Sequence, residues 1–278
     1  MVALGRKSLL VCSLFTCLTV AACSDPPSSL PVDNNAIAND ADGPVVAKKP
    51  EEPTGEPFKV SDKSDLLEFG YSWPGEASGV PGIVTWLKAD MDKSKAAAVR
   101  DARVGKADAA GSGFPFRPYA LETHWKVAGH SGHLLSLVGE TYSYTGGAHG
   151  MSSYRPLLWD RGRSQIIEPE AIFTSPAAFA KVATPTFCKL LDAARAKKRD
   201  GFGGVDDSDP TDPFNACIDP LKQVVVPAGK HGLHAIRVIV APYEAGPYAE
   251  GSYEIDVPMT KAILETIKPE YRAAFTLP

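Results

Sequence analysis

The chain has 278 residues, 29 basic against 33 acidic, with a formal net charge of −4 and 44% hydrophobic residues. Phosphate neutralisation needs concentrated Lys and Arg, and no basic stripe is present, so nucleic acid is excluded as the expected partner. The apolar content suffices for one large or two small packed domains.

Arg6 and Lys7 precede Ser8 to Ala22, an apolar stretch that would span only about 22 Å as a helix, short of the roughly 30 Å of a bilayer core. A positive start, an apolar middle and small residues at the end make a secretory signal. Val20-Ala21-Ala22-Cys23 is similar to the bacterial lipobox, and this resemblance implies that residues 1–22 are a lipoprotein signal peptide and that Cys23 carries the lipid. Ser24 rather than Asp after Cys23 implies an outer-membrane address facing the periplasm. Without Arg6 and Lys7 the mature chain holds 27 basic against 33 acidic residues, a net −6. Residues 23–57 contain seven prolines and no apolar periodicity, so they are expected to form a disordered tether. Cys12 and Cys17 leave with the signal, so Cys188 and Cys217 remain as an even pair in an oxidising compartment. A disulfide between them would contribute about 3 kcal/mol by the chain-entropy model. Two buried free thiols are the alternative.

Two subdomains are expected, residues 58–168 and 169–278, each α+β with an antiparallel sheet packed against helices. In the first, Leu67, Phe69, Tyr71 and Trp73 alternate with polar or small residues, the period of a half-buried strand. A helix is expected from Pro81 to about Val104, followed by a small-residue loop from Gly105 to Gly113. Tyr119 to Val127 and Leu134 to Tyr144 form a hairpin about Gly129-His130-Ser131-Gly132. A second pair, Tyr154 to Trp159 and Gln165 to Glu168, completes an antiparallel meander. The hairpin ends in Tyr142-Ser143-Tyr144-Thr145-Gly146-Gly147-Ala148-His149-Gly150, whose three glycines are read as positive-φ positions of a fixed turn that presents two phenols and an imidazole.

The second subdomain begins with a helix capped by Ser175 and ended by Gly201. Its basic run Lys197-Lys198-Arg199 suits the C-terminal dipole, and Pro185 is expected to kink or split it. The acidic loop from Gly203 to Pro213 lacks the spacing and central glycine of a calcium loop and reads as solvated. Strands are expected at Gln223 to Val226, Leu233 to Val240 and Ser252 to Val257. A final helix runs from Pro258 to Ile267 and is closed by Pro269. The loop Ala241-Pro242-Tyr243-Glu244-Ala245-Gly246-Pro247-Tyr248-Ala249-Glu250-Gly251 is the counterpart of the glycine turn: tyrosines on a stiff backbone, with two carboxylates.

The segments Tyr144 to Gly150, Leu158-Trp159-Asp160, Phe173-Thr174-Ser175 and Pro242 to Gly251 resemble the tandem extracytoplasmic domains found in the anti-sigma factor RsiV and beside the deacetylase domain of PdaC. The resemblance spans about Phe58 to Ile267. RsiV-type members bind lysozyme directly, so it implies protein recognition rather than catalysis. No sigma-binding segment or deacetylase domain is expected in this chain, and neither activity is carried over.

Catalytic patterns are sparse. No Gly-x-Ser-x-Gly elbow occurs, and Ser131 lies in a hairpin turn. Cys188 has an apolar helical setting. His130-x-x-His133 and His231-x-x-His234, with His124 and His149, raise zinc as an alternative, but on extended strands residues three apart face opposite ways. Glu140, Glu244 and Glu250 could supply the carboxylate pair of a hydrolase acting on peptidoglycan-type material. The favoured reading is a non-catalytic envelope lipoprotein, without cofactor or bound metal, that binds a lysozyme-like periplasmic protein or cell-wall glycan. The binding candidates are Tyr142, Tyr144, Gly146, Gly147, His149, Tyr243, Glu244, Tyr248 and Glu250, because tyrosines on rigid loops bring contact area at little entropic cost.

Overall fold

The structure, a computed structural model, describes residues 54–199 and 212–278. The leader, Cys23, the tether up to Pro53 and most of the acidic loop lie outside the described residues. Among the described residues no helix is long and apolar enough to cross a membrane.

The fold is α+β. A six-stranded sheet is built in sequence order from β1 (Phe58–Lys63), β2 (Leu67–Trp73), β3 (Tyr119–His130), β4 (Leu134–Tyr144), β5 (Met151–Asp160) and β6 (Gln165–Ile167). The alternation read in β2 is real: Leu67, Phe69, Tyr71 and Trp73 are all buried. One pair departs from a meander, because β2 and β3 run parallel. Parallel neighbours need a crossover, supplied here by α1 (Gly75–Ser78) and α2 (Pro81–Ser112). The buried Ile83 and Leu87 of α2 pack over the sheet face formed by Tyr71, Trp125, Leu135, Leu137 and Leu157.

The helix α2 runs on to Ser112, well past Val104, and is capped by Gly113 at φ 72°. Gly105 is a point of close approach rather than a break, since a Cβ there would collide with the Tyr119 hydroxyl. Alanines and the Lys106–Asp65 ion pair at 2.6 Å support the extra turns.

The second sheet, β7 (Val224–Ala228), β8 (Ala235–Val240) and β9 (Tyr253–Pro258), is antiparallel throughout. One face carries Val225, Val238, Val240, Ile255 and Val257 toward α3 (Pro176–Arg199), whose Phe179, Ala183, Phe187 and Leu191 are buried in the same cluster. The opposite face brings Val226 and Ile239 against Ala128 and Val138 of the first sheet. The layers are therefore α2, six-stranded sheet, three-stranded sheet, α3. Gly129 and Gly229 bridge the two sheets, with Gly229 N–H donating to the Ala128 carbonyl at 3.0 Å.

Three boundaries differ from expectation. The helix α3 runs unbroken through Pro185. Three large, fully buried side chains on its stripe, Phe179, Phe187 and Leu191, each worth about 1.5–3 kcal/mol, outweigh the roughly 3 kcal/mol cost of an internal proline. Pro258 ends β9 instead of opening a helix. The helix α4 (Lys261–Thr266) starts one residue after Thr260, whose hydroxyl caps Ile263 N–H, and Pro269 opens α5 (Pro269–Arg272) rather than closing the previous helix.

Cys188 on α3 and Cys217 form a disulfide with Cα atoms 5.3 Å apart.

Candidate functional site

The two signature loops meet. The His149 ring stacks on Tyr248 with centroids 3.9 Å apart and planes 18° from parallel. The Tyr243 ring lies 5.7 Å from Tyr248 and 6.4 Å from His149, and its hydroxyl is 3.5 Å from His149 Nε2. His149 Nδ1 lies 3.0 Å from the Gly150 carbonyl, which fixes the plane of the imidazole. His149 and Tyr243 are exposed and Tyr248 is half-buried, so the trio is a rigid aromatic surface rather than a core cluster.

Backbone geometry at the two loops differs. Gly146 and Gly147 take φ of 100° and 85°, as a glycine turn requires. Gly150 does not take positive φ; it is small because the Tyr142 ring and the Ser143 carbonyl lie against it. On the opposing loop, Glu244 N–H bonds to the Ala241 carbonyl at 3.3 Å, closing a turn with Pro242 at its second position and Tyr243 at its third. Tyr243 there has φ 71°, a left-handed conformation normally left to glycine.

The tyrosine loop is clamped from α3. Arg195 Nε donates to the Ala245 carbonyl at 3.0 Å, and the same guanidinium reaches the carbonyls of Asn215 and Ala216. Lys198 Nζ donates to the Glu250 carbonyl at 2.6 Å. Arg199 Nε pairs with Glu250 Oε1 at 2.9 Å, both side chains buried, and the Tyr253 hydroxyl donates to Glu250 Oε2. Burial, aided by the Glu250 carboxylate, pushes the Tyr253 phenol up, so it stays a donor. Burial also pulls the Lys198 ammonium down, against the opposing pull of Glu250.

The remaining candidates are spread out. Glu250 is therefore inside the loop's support, not on its surface. Glu244 is exposed, and Glu140 on β4 accepts from Lys126 at 3.0 Å and from the Tyr154 hydroxyl at 3.3 Å. Tyr142 is 38% exposed on β4. Tyr144, Gly146 and Gly147 border a different groove from the His149 stack. His130, His231 and His234 line a groove of about 640 Å³ with Arg237 and Asp256, and His124 Nδ1 bonds to Ser72 Oγ at 2.8 Å. Among the described residues no group of three or more His, Cys, Asp or Glu is placed to hold a metal ion. Ser131 Oγ accepts the backbone N–H groups of His133 and Leu134, a turn role.

Sequence reasoning missed Arg195, Lys198 and Arg199 as the loop's holders. The basic run was visible, and its i, i+3, i+4 spacing, which puts the three on one helix face, was the available signal.

No curated protein matches the chain. Among solved structures it is similar to a DUF3298 family member from Bacteroides fragilis, at 17% identity over 81% of this chain and 98% of that chain with a TM-score of 0.46. It is likewise similar to a DUF3298 family protein from Pseudomonas aeruginosa PAO1, at 14% identity over 78% of this chain and 96% of that chain with a TM-score of 0.43. Residues 60–152, which carry β2 to β4 and the whole glycine turn, match the family described as Deacetylase PdaC, so the resemblance read from the turn holds over that segment.

Proposed function

We propose that this protein is a non-catalytic binding protein of the cell envelope, recognising a lysozyme-like periplasmic protein or a cell-wall glycan through His149, Tyr243 and Tyr248. The observation that supports the reading is Tyr243, an aromatic residue 49% exposed in a left-handed backbone conformation. Non-glycine residues in this region carry of order 1–3 kcal/mol of strain, which persists where the surroundings over-determine it and clusters at ligand clamps. A stacked pair with a third ring tilted against it binds with little further loss of side-chain freedom. In this reading the chain is held at the outer membrane by lipid on Cys23, and Cys23→Ser releases it from the membrane fraction.

Calorimetry of the full chain against several lysozymes and purified peptidoglycan tests the proposal. Saturable binding to one of them, weakened at least tenfold by Tyr248→Ala, is expected. Absence of binding to every ligand, or binding indifferent to Tyr248→Ala and Tyr243→Ala, rejects it.

A further inference from the structure

A second groove, of about 370 Å³, lies where the C-terminal part of α2, the segment entering β3 and the glycine turn come together. Phe116, Arg117 and Tyr119 line it from that entering segment, and Tyr144, Gly146 and Gly147 line it from the turn. None of His149, Tyr243 and Tyr248 of the first site belongs to it. Its volume falls in the range of small-molecule sites, about 300–1,000 Å³.

The chemistry of the lining is selective. The Phe116 and Tyr119 rings are 5.6 Å apart at a tilt of 36°, giving a broken aromatic floor that Tyr144 extends. Contact of the Tyr119 hydroxyl with Gly105 fixes that ring, and a hydrogen bond from Tyr144 Oη to the Gly147 carbonyl at 3.2 Å holds the turn. Open space faces Gly146 and Gly147, so their backbone is bare to a ligand. Arg117 is the one charged residue of the lining, on a chain of net charge −4. Among the described residues it is exposed and donates to no acceptor.

We propose that this groove binds an acidic saccharide: a sugar ring, or short oligosaccharide, bearing a carboxylate. The C–H face of the sugar packs on the aromatic floor, the carboxylate takes the two-pronged guanidinium of Arg117, and ring hydroxyls exchange hydrogen bonds with the tyrosine hydroxyl and the turn backbone. An extended acidic peptide fits less well, because β4 is paired on both sides, to β3 and β5, and offers no free strand edge beside the groove. A phosphate group would draw on several cations, and the lining has one. The site does not depend on the His149–Tyr248 stack.

The test is calorimetry of the full chain with di- and trigalacturonic acid, and with the neutral galactose oligosaccharides of the same length. Saturable binding of the acidic sugars is expected, at least tenfold tighter than the neutral ones. Arg117→Ala should lose at least tenfold and erase the preference for acid, and Phe116→Ala should lose at least tenfold for both series; circular dichroism checks that each variant is folded. Tyr243→Ala should leave this binding unchanged, which separates the groove from the first site. No saturable binding of the acidic sugars, equal affinity for the neutral ones, indifference to both groove variants, or loss in Tyr243→Ala alone would each overturn the assignment.

Discussion

Tyr243 occupies the third position of a proline turn whose geometry belongs to glycine, and its neighbours hold it there. Replacing it with glycine should relieve the backbone and leave thermal stability unchanged or raised by up to about 1 kcal/mol, while ligand binding falls. A variant that is both less stable and fully competent in binding would show that the conformation serves packing alone. Asp90 is a second residue whose setting makes a prediction. Its carboxylate accepts two bonds of 2.7 Å from Arg155 and one of 2.7 Å from the Tyr71 hydroxyl. Burial opposes the charge, but these donors outweigh it and hold the carboxyl below the usual range. A depressed folded-state value means stability that is present above the unfolded value, near pH 4, and lost as pH falls through the folded one. Asp90→Asn should cost about 1–3 kcal/mol at pH 7 in a denaturant titration, and the gap to wild type should shrink as pH drops below about 4. A gap that is constant from pH 7 to pH 2.5 would contradict the linkage. At this scale the sequence was informative about residue type and silent about partners: the tyrosines and His149 were legible as a surface group, whereas Glu250 gave no sign that it would be buried against Arg199.

Among the elements, α3 does the most. Its apolar stripe builds the core of the three-stranded sheet, and its cations grip two separate loops at once. Arg195 bonds both to the Ala245 carbonyl in the tyrosine loop and to the carbonyls of Asn215 and Ala216, just before Cys217. The disulfide therefore holds one of the two segments on which these buried guanidinium groups depend. Replacing Cys188 and Cys217 with Ser should lower stability by about 3 kcal/mol. It should also speed amide exchange in residues 245–250 more than in β3 to β5, as read by hydrogen-exchange mass spectrometry. Uniform acceleration would mean that the bond acts only on the unfolded chain. Periodicity revealed the elements themselves, because alternation and helical spacing are local. The end of α2 and the continuity of α3 were hidden because tertiary contacts decide them, the fit of Gly105 under Tyr119 and a buried stripe that outweighs Pro185, whereas the start of α4 is set locally by the Thr260 cap.

At the scale of the whole molecule, the α+β class and five of the six strands of the first sheet followed from residue alternation, whereas β1 (Phe58–Lys63), mostly exposed and without a sustained apolar alternation, and the direction of pairing did not. Nothing in β2 or β3 alone distinguishes parallel from antiparallel pairing; the deciding fact is that the intervening α2 is long enough to carry the chain back to the same end of the sheet. The aromatic trio follows the same logic. Each loop was recognisable by its own residues, while their juxtaposition depends on how the two sheets are layered. The parallel pair also sets an order of events. Contacts within β3, β4 and β5 close over short turns, whereas β2 meets β3 only after a crossover of 45 residues between Trp73 and Tyr119 is in place. Loop-closure entropy then favours a nucleus in the β3–β5 hairpins, with β1, β2 and α2 arriving later. Pulse-labelled refolding should protect Leu134 to Trp159 before Leu67 to Trp73, so the segment bearing the glycine turn takes shape while its aromatic partners on the later loop are still unfolded.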